Sequence, residues 1–202
     1  AAANIPNQLG GWSMTWQGDD VENADFPGAS SILDGIRSAV AGAGGAVNFR
    51  QFADLGAGLT GSLPDVALLV YGEEPYAEFE GDVGTLEFSP RDKSHLEAAR
   101  LLKAAGVPVV SVLLNGRPLS VPHEIQASDA FVVAWLPGSE GAGVADVLIT
   151  VPDGQPRFDF SGRLPFSWPG SPDQAEVNRG DDPYQPAYPF GFGLRYEPPD
   201  AN

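Results

Sequence analysis

The chain has 202 residues, enough for one domain, and a 43% hydrophobic content that supports a packed core. Eleven basic residues against 27 acidic ones leave a net charge of −16, which excludes a nucleic-acid binder built on a basic face. Without cysteine there are no disulfides, thiolate metal sites or Cys nucleophile, and no apolar run of about 18 residues is available to span a membrane.

In chain order, Ala1 to Asn7 lacks a basic n-region and an apolar h-region, so it does not read as a signal peptide. Trp12 and Trp16 follow in Gly10-Gly11-Trp12-Ser13-Met14-Thr15-Trp16-Gln17-Gly18, where the glycines argue against a core helix. A tryptophan face in a loop is a platform for the apolar face of a sugar; equally, such rings anchor a terminal segment to the core. Ser30 or Ser31 is the expected cap of a helix running to about Ala41. Ala46–Phe49 is a weak strand candidate.

Val66–Tyr71, Val107–Leu114 and Ala130–Leu136 are continuous apolar runs, as strands buried on both faces of a parallel sheet require. Between the first two, Ser89 reads as an N-cap, Pro90 as the first helical residue and Asp92 as an acidic first turn. Leu96, Ala99, Leu102 and Lys103 continue that helix, and Gly106 ends it. Ser139 is the expected cap of a helix through Val147, with Val147–Val151 a further weak strand candidate. Beyond Thr150 the chain, rich in Pro, Gly and aromatics, reads as a long ordered tail. The β-α-β-α-β order predicts a doubly wound α/β sheet with helices on both faces.

In such sheets the ligand crevice lies past the carboxyl ends of the strands. The segment after Tyr71 places Glu73, Glu74, Glu78, Glu80 and Asp82 within ten residues, interleaved with Tyr76 and Phe79. Crowded carboxylates beside aromatic rings raise one another's pKa, and a raised carboxylic acid suits general acid catalysis on a neutral substrate such as a sugar. A solvated acidic loop or a Ca²⁺ site fits the same residues. Other chemistries find less support. Gly138-Ser139-Glu140-Gly141 lacks the glycine that a nucleophile elbow needs two residues before its serine, where Pro137 stands. His95 and His123 belong to no metal-spacing motif, and neither a dinucleotide fingerprint nor a Walker sequence occurs.

Six segments in one order carry a resemblance: Gly11-Trp12-Ser13-Met14-Thr15-Trp16-Gln17-Gly18, Gly72-Glu73-Glu74-Pro75-Tyr76-Ala77-Glu78, Asn115-Gly116-Arg117-Pro118, Ala134-Trp135-Leu136-Pro137-Gly138-Ser139-Glu140-Gly141, Gly162-Arg163-Leu164-Pro165 and Phe190-Gly191-Phe192-Gly193-Leu194. Together they resemble the C-terminal α/β domain of glycoside hydrolase family 3, in its exo-β-1,3/1,4-glucanase and β-glucosidase branch, from about Asn4 to Tyr196. The resemblance implies one domain over residues 1–202, a flavodoxin-like three-layer sandwich with a mostly parallel sheet of about six strands. It places the general acid/base at Glu78 and one wall of the leaving-group (aglycone) subsite at Trp16. It implies no cofactor and no metal, a β-glucan or β-glucoside substrate, and a periplasmic or extracellular location.

The family's (β/α)₈ barrel, which supplies the nucleophilic aspartate, has no counterpart in this chain. A barrel takes about 250 residues by itself. A retaining glycosidase needs two carboxylates about 5–5.5 Å apart, and this chain is expected to hold one of them. The expected partner is therefore an N-terminal barrel domain of the same polypeptide, with the present chain inactive alone. Glu73, Glu74, Glu80 and Asp82 are expected to hold the Glu78 pKa up, or to pair with Arg117 or Arg91. Two other functions compete. One is a non-catalytic carbohydrate-binding domain. The other is a nucleotide binder, which the −16 charge disfavours by repelling anions.

Overall fold

A computed structural model describes residues 1–55, 58–59, 61–150 and 154–196. The elements are α1 (Ile5–Leu9), a 3₁₀ turn (Asn23–Asp25), α2 (Ile32–Gly42), α3 (Phe52–Leu55), β1 (Ala67–Gly72), α4 (Ser94–Ala104), β2 (Val109–Leu114), α5 (Pro122–Gln126), β3 (Ala130–Trp135) and α6 (Ala142–Leu148). The three apolar runs form three parallel strands in the order β1-β2-β3. Among the described residues the sheet has these three strands, fewer than the six expected.

Alternation along the strands builds two cores. On one face Leu69, Tyr71, Val109 and Leu113 meet Leu96, Ala99 and Leu102 of α4. On the other, Val70, Val112 and Leu114 meet Ile32, Leu33 and Ile36 of α2 and Val144 and Ala145 of α6. The helices on both faces thus follow from strands that are apolar on both sides. Each fully buried Leu or Val contributes on the order of 1.5–3 kcal/mol by leaving water, and Val109, Val112, Leu113 and Leu114 are completely buried.

Helix α2 is capped by Ser31, whose hydroxyl accepts from the Asp34 amide at 3.1 Å. Helix α4 ends at Gly106 (φ +80°), where the Gly106 amide bonds the Lys103 carbonyl and the Val107 amide bonds the Leu102 carbonyl. That is the Schellman arrangement glycine favours.

Four expectations are corrected. Helix α4 starts at Ser94, not after Ser89, because Asp92 accepts from the Ser94 amide at 2.9 Å and holds the preceding residues in a turn. Helix α6 is not capped by Ser139; the Ala142 amide donates to the Ser30 hydroxyl at 3.2 Å, a cap from a distant segment. Ala46–Phe49 forms no strand: Phe49 lies 41% exposed, and among the described residues no strand pairing or bridge includes the segment. Val147 and Leu148 close α6, and Thr150 makes an isolated bridge to Pro156; Val151 lies outside the described residues.

Within the described part of the tail Trp168 packs against the body: it is buried, and its indole donates to the Leu119 carbonyl at 2.8 Å. Among the described residues no helix is long and apolar enough to cross a membrane.

Candidate active site

The carboxyl ends of the strands face the N-terminal segment. Gln8 of α1, completely buried, holds it there. Its side-chain amide donates to the carbonyls of Ser30 and Gly138, both at 3.1 Å, and accepts from the first amide of α2, at Ile32, at 2.9 Å. Beyond α1 the chain loops back, and the Trp12 amide bonds the Trp16 carbonyl at 3.0 Å. Gly11 presses on the loop after β1; a Cβ there would overlap the Tyr76 carbonyl oxygen.

That second loop is pinned from below. Glu73 pairs with Arg117 (Oε1 to Nε, 3.0 Å) and accepts from the Tyr76 hydroxyl and the Gly116 amide, both at 3.2 Å. The Arg117 guanidinium lies 3.9 Å from the Tyr76 ring centre and donates to the Gly81 carbonyl at 2.6 Å, closing the loop. Burial pushes the Glu73 carboxyl up, against the lowering effects of Arg117, the Gly116 amide and the Tyr76 hydroxyl. Of the two arginines considered as partners, Arg117 takes the role.

Gln17 then fixes the tip. Its side chain donates to the Glu78 carbonyl at 2.8 Å and accepts from the Ala77 amide at 2.6 Å. Glu78 points outward, exposed, under the two tryptophans. The Trp16 and Trp12 indoles both donate to its Oε2, at 2.8 and 3.1 Å. Trp16 packs edge-on against Phe79 (5.6 Å, 81°) and lies 6.3 Å from Trp12. Trp12, Trp16 and Phe79 remain 69%, 46% and 73% exposed. The rings are therefore not core anchors.

The structure brings Glu78 and Trp16 into direct contact, and it reverses the expected electrostatics. The Trp16 indole, the backbone amide of Glu78 and the Trp12 indole hold the Glu78 carboxyl below the usual range. Indole N–H groups only donate, so they favour the charged acceptor. The loop geometry aims this carboxyl at the indoles rather than at its acidic neighbours. Among the described residues no three His, Asp or Glu side chains are placed to hold a metal ion. Sequence reasoning left Gln8 and Gln17 without a role. Gln17 stands within a recognised segment, whereas the partners of Gln8 come from segments far apart in sequence.

An exposed carboxylate beneath two indoles thus stands at the carboxyl edge of a parallel sheet covered by helices on both faces, an α/β domain. The chain belongs to the glycosyl hydrolase family 3 C-terminal domain family, whose model matches residues 1–196. It is 33% identical, over 97% of its length, to the lysosomal beta glucosidase of Dictyostelium discoideum, of which it covers 25%. It is 37% identical, over 65% of its length, to the periplasmic beta-glucosidase of Salmonella typhimurium, of which it covers 19%. The crystal structure of the exo-1,3/1,4-beta-glucanase from a Pseudoalteromonas species superposes with a TM-score of 0.90 at 51% identity, over 98% of this chain and 24% of that one. The chain thus spans about a quarter or less of the length of the curated relatives it matches.

Proposed function

We propose that this chain is the acid/base-bearing domain of a retaining exo-acting β-glucan glucohydrolase or β-glucosidase that releases glucose from non-reducing ends. The observation that carries the reading is Glu78, exposed at the strand ends with its carboxylate under the Trp12 and Trp16 indoles. Likeness to a β-glucanase and to β-glucosidases supports the substrate class.

In the first half-reaction neutral Glu78 gives its proton to the glycosidic oxygen. The bond from that oxygen to the anomeric carbon breaks as an aspartate of a barrel domain, on the same polypeptide, attacks that carbon. In the second half, the Glu78 carboxylate takes a proton from the attacking water, and the aspartate leaves with configuration retained. Trp16 stacks on the leaving sugar. In the uncovered site the indoles favour the ionised form that the second half needs. A sugar on the Trp16 wall removes water from the carboxyl, and that desolvation favours the neutral form that the first half needs. The relatives named periplasmic and lysosomal support an exported enzyme.

The test is glucose release from a laminari-oligosaccharide. Glu78→Gln in the full-length polypeptide is expected to lose roughly 10²–10⁴-fold on this substrate. On an aryl glucoside whose leaving group needs no proton it should retain the first half-reaction, read as kcat/KM, while kcat falls because the second half lacks its base. Unchanged turnover of the oligosaccharide would remove Glu78 from the role. The 202-residue chain alone is expected to release no glucose; release that Glu78→Gln abolishes would overturn the need for a second domain.

A further inference from the structure

Both indoles reach the same oxygen of Glu78. The Trp16 and Trp12 Nε1 atoms lie 2.8 and 3.1 Å from Oε2, and among the described residues no indole hydrogen-bonds Oε1. A carboxylate oxygen offers two lone-pair sites, and an indole N–H is a donor that can take neither a second role nor the proton itself. Two such donors therefore fill the lone-pair sites of Oε2 and leave Oε1, which neither indole bonds, as the more basic oxygen.

The backbone around Trp12 is arranged for this contact. Trp12 sits at φ +61° and Phe79, next to Glu78, at φ +75°, left-handed conformations unfavourable for bulky residues. Burial does not compensate, since both rings are mostly exposed. Trp12 is held instead by its amide bond to the Trp16 carbonyl and by Gly11 pressed on Tyr76. Local strain thus persists where it aims an indole at Glu78.

We propose that Trp12 is a positioning residue for the acid/base: with Trp16 it holds Oε2 of Glu78, so that Oε1 carries the proton and transfers it to the glycosidic oxygen. The inference rests on the reading of Glu78 as the acid/base. Trp16 has a second task as the stacking wall, whereas Trp12 acts through Glu78. Among the described residues, the groups acting on this carboxyl are the two indoles and the backbone amide of Glu78, with Glu74, Glu80 and Asp82 exposed nearby in the loop.

The experiment compares Trp12→Phe with the parent full-length polypeptide on a phenyl glucoside, which needs its leaving group protonated, and a dinitrophenyl glucoside, which does not. Phenylalanine keeps the ring and removes the donor. In kcat/KM, which reports the first half-reaction, Trp12→Phe is expected to lose roughly ten- to a hundredfold on the phenyl substrate and less than about threefold on the other. The basic limb of its pH–rate profile should move to higher pH, because a donor favouring the anion is gone. Equal losses on both substrates, or an unmoved limb, would overturn the proposal.

Glu78→Gln separates the two readings. If it spares the phenyl substrate, the acid/base assignment fails and this inference with it. If Glu78→Gln is selective and Trp12→Phe is not, only the role of Trp12 falls. Fluorotryptophan-labelled parent enzyme gives a readout independent of any Trp12 variant. The Trp12 and Trp16 signals should titrate with one common midpoint that Glu78→Gln abolishes. Signals that do not follow Glu78 would refute the shared clamp.

Discussion

Glu73 and Glu78 share one loop and meet opposite surroundings. Glu73 turns inward, with side-chain exposures of 17% for itself and 18% for its partner Arg117. Glu78 turns outward to the indoles. The two should therefore separate stability from activity. Glu73→Ala leaves a largely buried guanidinium without its anion, and an unfolding free energy lower by roughly 2–3 kcal/mol is expected in urea denaturation. Glu78→Gln should leave the denaturation midpoint in place while removing turnover of poor leaving groups. The acidic cluster itself was legible in the sequence. Which carboxylate faces solvent was not, because that depends on Arg117, which lies beyond the next strand.

At the scale of elements, the site rests on a junction of α1, α2 and the segment after β3, joined by Gln8. Gln8→Leu keeps the volume and removes one donor group and one acceptor. It leaves the buried Ile32 amide without its acceptor and the half-buried Gly138 carbonyl without the Gln8 donor, while the Ser30 carbonyl keeps the Gly141 amide. A buried orphan costs about 1–3 kcal/mol, so a loss of about 1–3 kcal/mol is expected in thermal denaturation. Strands and helix ends were readable locally, since apolar runs and Gly106 act through adjacent residues. The starts of α4 and α6 were misread, because Asp92 competes for the first turn of one and Ser30 caps the other from a segment 112 residues away. Gln8 gave no local signal: its partners meet only once the chain is folded.

For the whole molecule, charge and packing couple through a second set of buried contacts, between α4 and α5. His95 and Glu124 are buried together, 3.0 Å apart, with the His95 ring beside Tyr71 and Phe88. Burial alone would push the Glu124 carboxyl up. The His95 bond, its own backbone and the Lys93 ammonium outweigh that and leave it below the ordinary range. A carboxyl lowered on folding stabilises the fold above its unfolded value and loses that contribution as pH falls through its folded value. Stability is expected to decline below about pH 4–5, where unfolded carboxylates titrate. Glu124→Gln should flatten that decline in urea midpoints measured against pH. An unflattened curve would assign the acid limb to other carboxylates among the 27 acidic residues. By itself the sequence determined the parallel α/β core, the helices on both faces and the family, because apolar runs and short motifs act through neighbouring residues. The tertiary structure alone decided that two indoles clamp one oxygen of Glu78, that Arg117 pins Glu73, and that Glu78 is held below the usual range rather than above it. Those are matters of direction and distance between loops, and such geometry exists only when the strands have brought their carboxyl ends together.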